Sequence, residues 1–317
     1  MINKYYYIIL SFFLTRVLFL GGGYTVLLNI GKNSSILCGI LGMLLGYFIL
    51  YLLYKKEQIN ERVCVLISIG VLLINILSNT ILTSTYLLYK TPTLIIMGLF
   101  LGVIWWASKK DFKIIYRFAL VSICLSIPIL GLVYFGLFPI GEIDNLKPFL
   151  DTKWLDLVKG ILFFMVNSIL PNILLLNYKK DLKYKDVGIG YIFGCLTTIY
   201  LTYLIISIYG IEMATVIRFP EYLILKKFTF LNYVSNVENI LIMVWIFNLL
   251  ISGWICLKVL RDNWDRKILF IFIILFFLGI EFFLNKNYVN VLFIRNNIHI
   301  VWGILLILCL VLKKKKS

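Results

Sequence analysis

The chain contains one histidine, His299, and only 15 acidic residues against 31 basic ones. A lone histidine leaves no imidazole cluster for a metal and no histidine-based acid–base pair. No two carboxylates stand at a fixed spacing within the apolar stretches, and GxSxG, HExxH and phosphate-loop patterns are all missing. With no nucleophile and base to nominate, an enzyme is not expected, nor is a metal or a cofactor. The six cysteines (Cys38, Cys64, Cys124, Cys195, Cys256 and Cys309) stand singly inside apolar runs, without a CxxC spacing. They read as small core residues and say nothing of the redox compartment. Low-complexity tracts, linkers and short repeats are absent as well.

What fills the sequence instead is apolar. Hydrophobic residues make up 62% and charged residues 15%, and the mean hydropathy is +0.97, against about 45–50% apolar content in ordinary soluble domains. A hydrocarbon core needs about 20 apolar residues per helical crossing. Runs of that kind cover residues 5–30, 34–54, 63–88, 93–107, 115–138, 157–176, 187–210, 236–259, 267–284 and 298–312. They predict an all-α polytopic membrane protein with about ten transmembrane helices, filling 1–317 as a single domain. The first run is too long for a signal peptide and lacks an A-x-A cleavage pattern, so it is read as a span. The fourth is short.

The net charge of +16 belongs beside the membrane rather than on nucleic acid. With the N-terminus inside, 20 of the 31 basic residues fall on the inner side. Among them are Lys55, Lys56, Lys109, Lys110, Lys179, Lys180 and the terminal Lys313 to Lys316. That excess sets both termini in the cytoplasm and puts the basic clusters next to anionic lipid headgroups. The outer connectors 139–156 and 211–234 are longer than turns, and are either short surface helices or ordinary loops.

Spans 1–5 and 6–10 form two sets of five, and an odd number inverts the second set. Spans 1 and 6 each carry an interruption, Gly21-Gly22-Gly23 in one and Asn167-Ser168 with Pro171 in the other. Matching interruptions in two halves point to a binding site of transporter type, where unwound main chain and half-helix dipoles hold a polar ligand. Taken singly, the glycines also suit close helix packing, and the proline a plain kink. Other polar groups lie within the spans at a cost of about 2.5–3.5 kcal/mol per charge on insertion scales. Arg16 either pairs with a carboxylate or ligand, or snorkels to the cytoplasmic face. Asn75, Asn79 and Thr83 recur every four residues and share one helical face, which either lines a cavity or bonds a neighbouring helix. Glu238 and Glu281 fall at span ends, where solvated charge is the ordinary state.

Several stretches resemble the spore germination permeases, the B subunits of endospore germinant receptors within the amino acid–polyamine–organocation superfamily. Ile143-Asp144-Asn145-Leu146-Lys147-Pro148-Phe149-Leu150 is similar to that family's "NLRP" element after span 5. Phe219-Pro220-Glu221-Tyr222-Leu223 resembles its proline-led segment after span 7. Val237-Glu238-Asn239 with Val244-Trp245-Ile246 resembles its entry into span 8. Leu20-Gly21-Gly22-Gly23 is similar to the glycine-rich break in its first helix, and Lys90-Thr91-Pro92 to its span 3–4 turn. The likeness runs from the first span to the final lysines. The departures are Val166-Asn167-Ser168 where the family carries glycine and glutamate, Ser235-Asn236 in place of an acidic-basic pair, and no proline after Gly23-Tyr24-Thr25.

The resemblance implies a five-plus-five inverted repeat with broken helices 1 and 6. It further implies a germinant-sensing subunit in the spore inner membrane that binds a small amino-acid-like molecule. Partners would be membrane lipid, a larger membrane subunit and a lipoprotein. Gly21, Gly22, Gly23, Tyr24, Asn75, Asn79, Asn167 and Ser168 are then the candidate ligand-binding positions. Arg16, Pro171, Pro220 and Glu238 are candidates for structural or coupling roles. A secondary transporter of amino acids or organic cations and a ligand-free structural subunit are the alternatives.

Overall fold

A computed structural model describes residues 5–56, 59–150, 152–178, 183–227, 237–265, 267–269, 271–275, 279 and 288–312. Side chains are described for all of these except 129, 237–241, 243, 244 and 288–299. Among the described residues the regular structure is helical, apart from an isolated bridge position at Ile59. In chain order the helices are α1 (Tyr5–Arg16), α2 (Gly23–Gly31), α3 (Ser35–Lys55), α4 (Glu61–Tyr86), α5 (Thr93–Ser108) and α6 (Phe112–Leu137). They continue with α7 (Trp154–Leu176), α8 (Tyr184–Val216), the single turn α9 (Pro220–Leu223), α10 (Val237–Asn263) and α11 (Tyr288–Val311). Five described segments are long and apolar enough to cross a membrane: Gly23–Lys55, Glu61–Tyr86, Phe112–Ile140, Trp154–Leu176 and Tyr184–Val216. The short fourth run forms α5, whose 16 residues reach about 24 Å at 1.5 Å per residue. Half of the expected ninth span, including 276–278 and 280–284, lies outside the described residues.

Side-chain distribution fits a lipid solvent. Leu44, Phe48, Leu99, Trp106, Leu125 and Phe135 all point outward from the bundle. A surface so apolar is a liability in water and a requirement in hydrocarbon. Inside, α1 packs along α8, α3 along α7, and α4 along α10. The α1–α8 pair comes close because Gly190 and Gly194 face it: a Cβ on Gly190 would meet Ile8 O at 2.1 Å, and one on Gly194 would meet Thr15 Cβ at 2.7 Å. Small residues at a four-residue spacing let two membrane helices touch backbone to backbone.

The predicted interruption of the first span is present. After Arg16 the helix stops, residues 17–22 form turns, and the chain restarts as α2. Gly21 and Gly22 have φ of 77° and 105°, a region that costs an L side chain about 1–2 kcal/mol. The interruption expected in the sixth span is not present: α7 runs unbroken from Trp154 to Leu176. Its polar residues turn back onto their own helix instead of opening it. Asn167 Nδ2 donates to Phe163 O at 2.8 Å, Ser168 Oγ to Met165 O at 2.9 Å, and Asn172 Nδ2 to Ser168 O at 2.8 Å. Pro171 lies inside the helix, and these side-chain bonds hold the surrounding turns together where the proline lacks an N–H.

A second discontinuity lies where the sequence marks the end of a span. Gly210 has φ 67° and ψ 161° within α8, which frees the Ser207 carbonyl from its usual partner four residues on. Asn145 Nδ2 and the Glu142 amide both donate to that carbonyl, at 2.8 and 2.9 Å. The loop after α6, made of short 3₁₀ turns at Phe138–Ile140 and Ile143–Leu146, is thereby fastened to the end of α8. Beside it Asp144 accepts a 2.9 Å bond from Lys147, which lowers its carboxyl below the usual range; so exposed a pair adds little stability. At one end of the bundle Lys56 Nζ donates to Cys309 O, Leu310 O and Leu312 O. These are carbonyls left over at the end of α11, a favourable seat for a cation.

Candidate functional site: the break in the first helix

The break between α1 and α2 exposes main chain that the rest of the protein must satisfy. The Gly22 amide donates to Glu221 Oε1 at 2.9 Å. Glu221 follows Pro220 at the start of α9 and is fully buried. A carboxylate at the N-terminus of a half-helix is favoured by the aligned peptide dipoles as well as by the bond itself. Gly21 packs on α4: a Cβ there would stand 2.4 Å from Ser78 Cβ. Gly21 is thus fixed by conformation and by close approach, and Gly22 by conformation and by its bond to Glu221.

α2 is tied to two loops. Thr25 Oγ1 donates to Ile217 O and Arg218 O, at 3.3 and 3.1 Å, on the segment leading into α9. At its other end Asn33 Nδ2 donates to Lys147 O at 3.1 Å and Ser34 Oγ to Phe149 O at 2.9 Å. Behind α9, the Tyr86 and Tyr222 rings lie 4.2 Å apart with Lys226 over both. A shift of α2 is therefore felt in both loops.

Arg16 ends α1 on the N-terminal side of the break and is only 1% exposed, with Phe12 under its guanidinium at 5.2 Å. Such burial rules out snorkelling. Tyr24, just past the break, is fully buried and within electrostatic reach of both Arg16 and Glu221. Its hydroxyl has no hydrogen-bond partner, and the neighbouring Thr198 donates to its own helix at Gly194 O.

The remaining sequence-derived positions fall on other helices. Asn75 Nδ2 donates to Leu249 O and Ser252 Oγ on α10, both at 2.8 Å, and Asn75 Oδ1 accepts from Asn79 at 3.1 Å. Its amide bonds a neighbouring helix. Asn167 and Ser168 lie in α7, and Ser168 also shares a 2.9 Å bond with the Tyr191 hydroxyl. Pro220 opens α9. Glu238 is at the start of α10, and its side chain lies outside the described residues.

Sequence reasoning passes over five contributors, Glu221, Ser78, Ser11, Thr15 and Asn172. Glu221 stands within the segment 219–223, and a carboxylate in an apolar connector after proline is the type of residue that caps a helix. Ser78 shows no distinguishing signal. Ser11 and Thr15 join Asn172 in a buried network between α1 and α7, with bonds of 2.7 and 2.9 Å.

Long apolar helices around a broken first helix define an all-helical, polytopic membrane protein. The chain belongs to the spore germination protein family, the spore permeases, whose family profile matches residues 7–262. No curated protein matches it.

Proposed function

We propose that this protein is the germinant-sensing membrane subunit of a spore nutrient receptor. In this reading it binds a small amino-acid-like molecule beside the α1–α2 break and passes the change to a larger membrane subunit and a lipoprotein in the spore inner membrane. The ten-crossing, five-plus-five inverted architecture with both termini in the cytoplasm belongs to the same proposal; family membership and the excess of basic residues in alternate connectors support it.

The observation that carries the reading is the Gly22 amide held by Glu221 at the restart of the helix. Main chain that leaves the helical ladder at such a break is where transporter-type sites hold polar ligands. Signalling needs the ligand to favour one arrangement over another. The ties from α2 to 217–218 and to 147–149 give such a preference a route to the outer surface. Spores lacking the gene, exposed to a panel of single nutrients, test the proposal. Loss of the response to at least one nutrient is expected, and unchanged responses to all of them would refute it.

A further inference from the structure

Arg16 is a formal charge inside the protein with no carboxylate within ion-pair distance among the described residues. Its Nε and Nη2 are buried and have no hydrogen-bond partner. No carboxylate among the described residues pairs with it, the ion pairs Lys147–Asp144, Lys159–Asp156 and Lys258–Asp262 lying elsewhere. What surrounds it is the Phe12 ring on one face and the Tyr134 hydroxyl within reach. Water could hydrate such a group but would not neutralise it, and a charge at membrane depth is retained only for a reason.

The two unpartnered atoms identify the missing partner. Nε–H and Nη2–H lie on one edge of the planar guanidinium and point the same way, a fork that matches the two oxygens of a carboxylate. An alcohol or an amide oxygen would fill one tine and leave the charge uncompensated. The fork stands at the last residue of α1, immediately before the turns that lead to Gly22 and Tyr24.

We infer that Arg16 binds the carboxylate of the sensed molecule, side-on through Nε–H and Nη2–H, so that the ligand class is small carboxylic acids of the amino-acid type. The inference rests on the ligand-sensing reading above and adds the group that recognises the ligand. It assigns Arg16 a binding role in place of a purely structural one.

The test uses the purified full chain in lipid nanodiscs. Thermal stabilisation is measured with the standard L-amino acids and with the carboxamide of each. At least one acid stabilises the protein, and its carboxamide binds on the order of 100-fold more weakly, the usual effect of removing one partner of a buried charged pair. Arg16→Lys, which keeps the charge but lacks the fork, weakens the same acid by a similar factor. A carboxamide that binds as tightly as its acid, an Arg16→Lys protein with unchanged affinity, or no stabilisation by any of the acids overturns the inference. The comparison of acid with carboxamide needs no variant, so misfolding of a mutant does not obscure it. Spores that lose only the response to a carboxylate-free nutrient when the gene is deleted overturn the role of Arg16 while upholding the sensor.

Discussion

Glu221 accepts the Gly22 amide from 199 positions further along the chain. A carboxylate from the connector after α8 thus completes a helix end that the first span cannot complete by itself. The same connector accepts the Thr25 hydroxyl, so α2 and α9 form one unit across the break.

Glu221→Ala leaves the Gly22 donor buried without an acceptor. The expected loss is about 1–3 kcal/mol, read as a lowered unfolding midpoint in detergent. Glu221→Gln keeps an acceptor oxygen and loses less. Equal midpoints for the alanine variant and the parent would show that the bond contributes nothing.

Gly21→Ala imposes two separate penalties, a left-handed backbone of about 1–2 kcal/mol and a clash with Ser78. Ser78→Gly removes the second alone. The double variant should therefore recover part, but not all, of the stability lost by Gly21→Ala, a positive coupling in a double-mutant cycle. Strict additivity would mean that the two residues do not meet.

Asn75→Ala cuts the bonds to Leu249 and Ser252 on α10. Interhelical bonds of this type contribute about 0.6–1.7 kcal/mol in membrane proteins, so a loss in that range is expected in unfolding measurements. The alanine chain should still show the acid-over-carboxamide preference, since Asn75 serves packing.

Asn145→Ala removes one of the two donors on the Ser207 carbonyl. Amides of the loop at 141–147 should then exchange hydrogen faster, with exchange in the α3–α7 pair unaffected. Faster exchange throughout the bundle would indicate a global role instead.

These tests bear on positions that differ in how plainly the sequence announces them. The first break is legible because left-handed backbone needs glycine, although glycines inside an apolar run also suit close helix packing. The sixth span misleads for an equally physical reason. Asn167, Ser168 and Asn172 can either open a helix or bond back to carbonyls three or four residues earlier, and composition is the same in both cases. The even spacing of Asn75 and Asn79 places them on one face but does not say whether water, ligand or another helix meets it; here α10 does. Glu221 and Ser78 owe their roles to contacts across the fold, which no local pattern encodes.

Ribosomes add about 5–20 residues per second, so about 10–40 s separate the synthesis of Gly22 from that of Glu221, 199 positions later. Throughout that interval the nascent opening helix has no stopper for its bend. Its final shape is a late product of biogenesis, completed only once the seventh apolar run has been threaded and the connector beyond it has folded back.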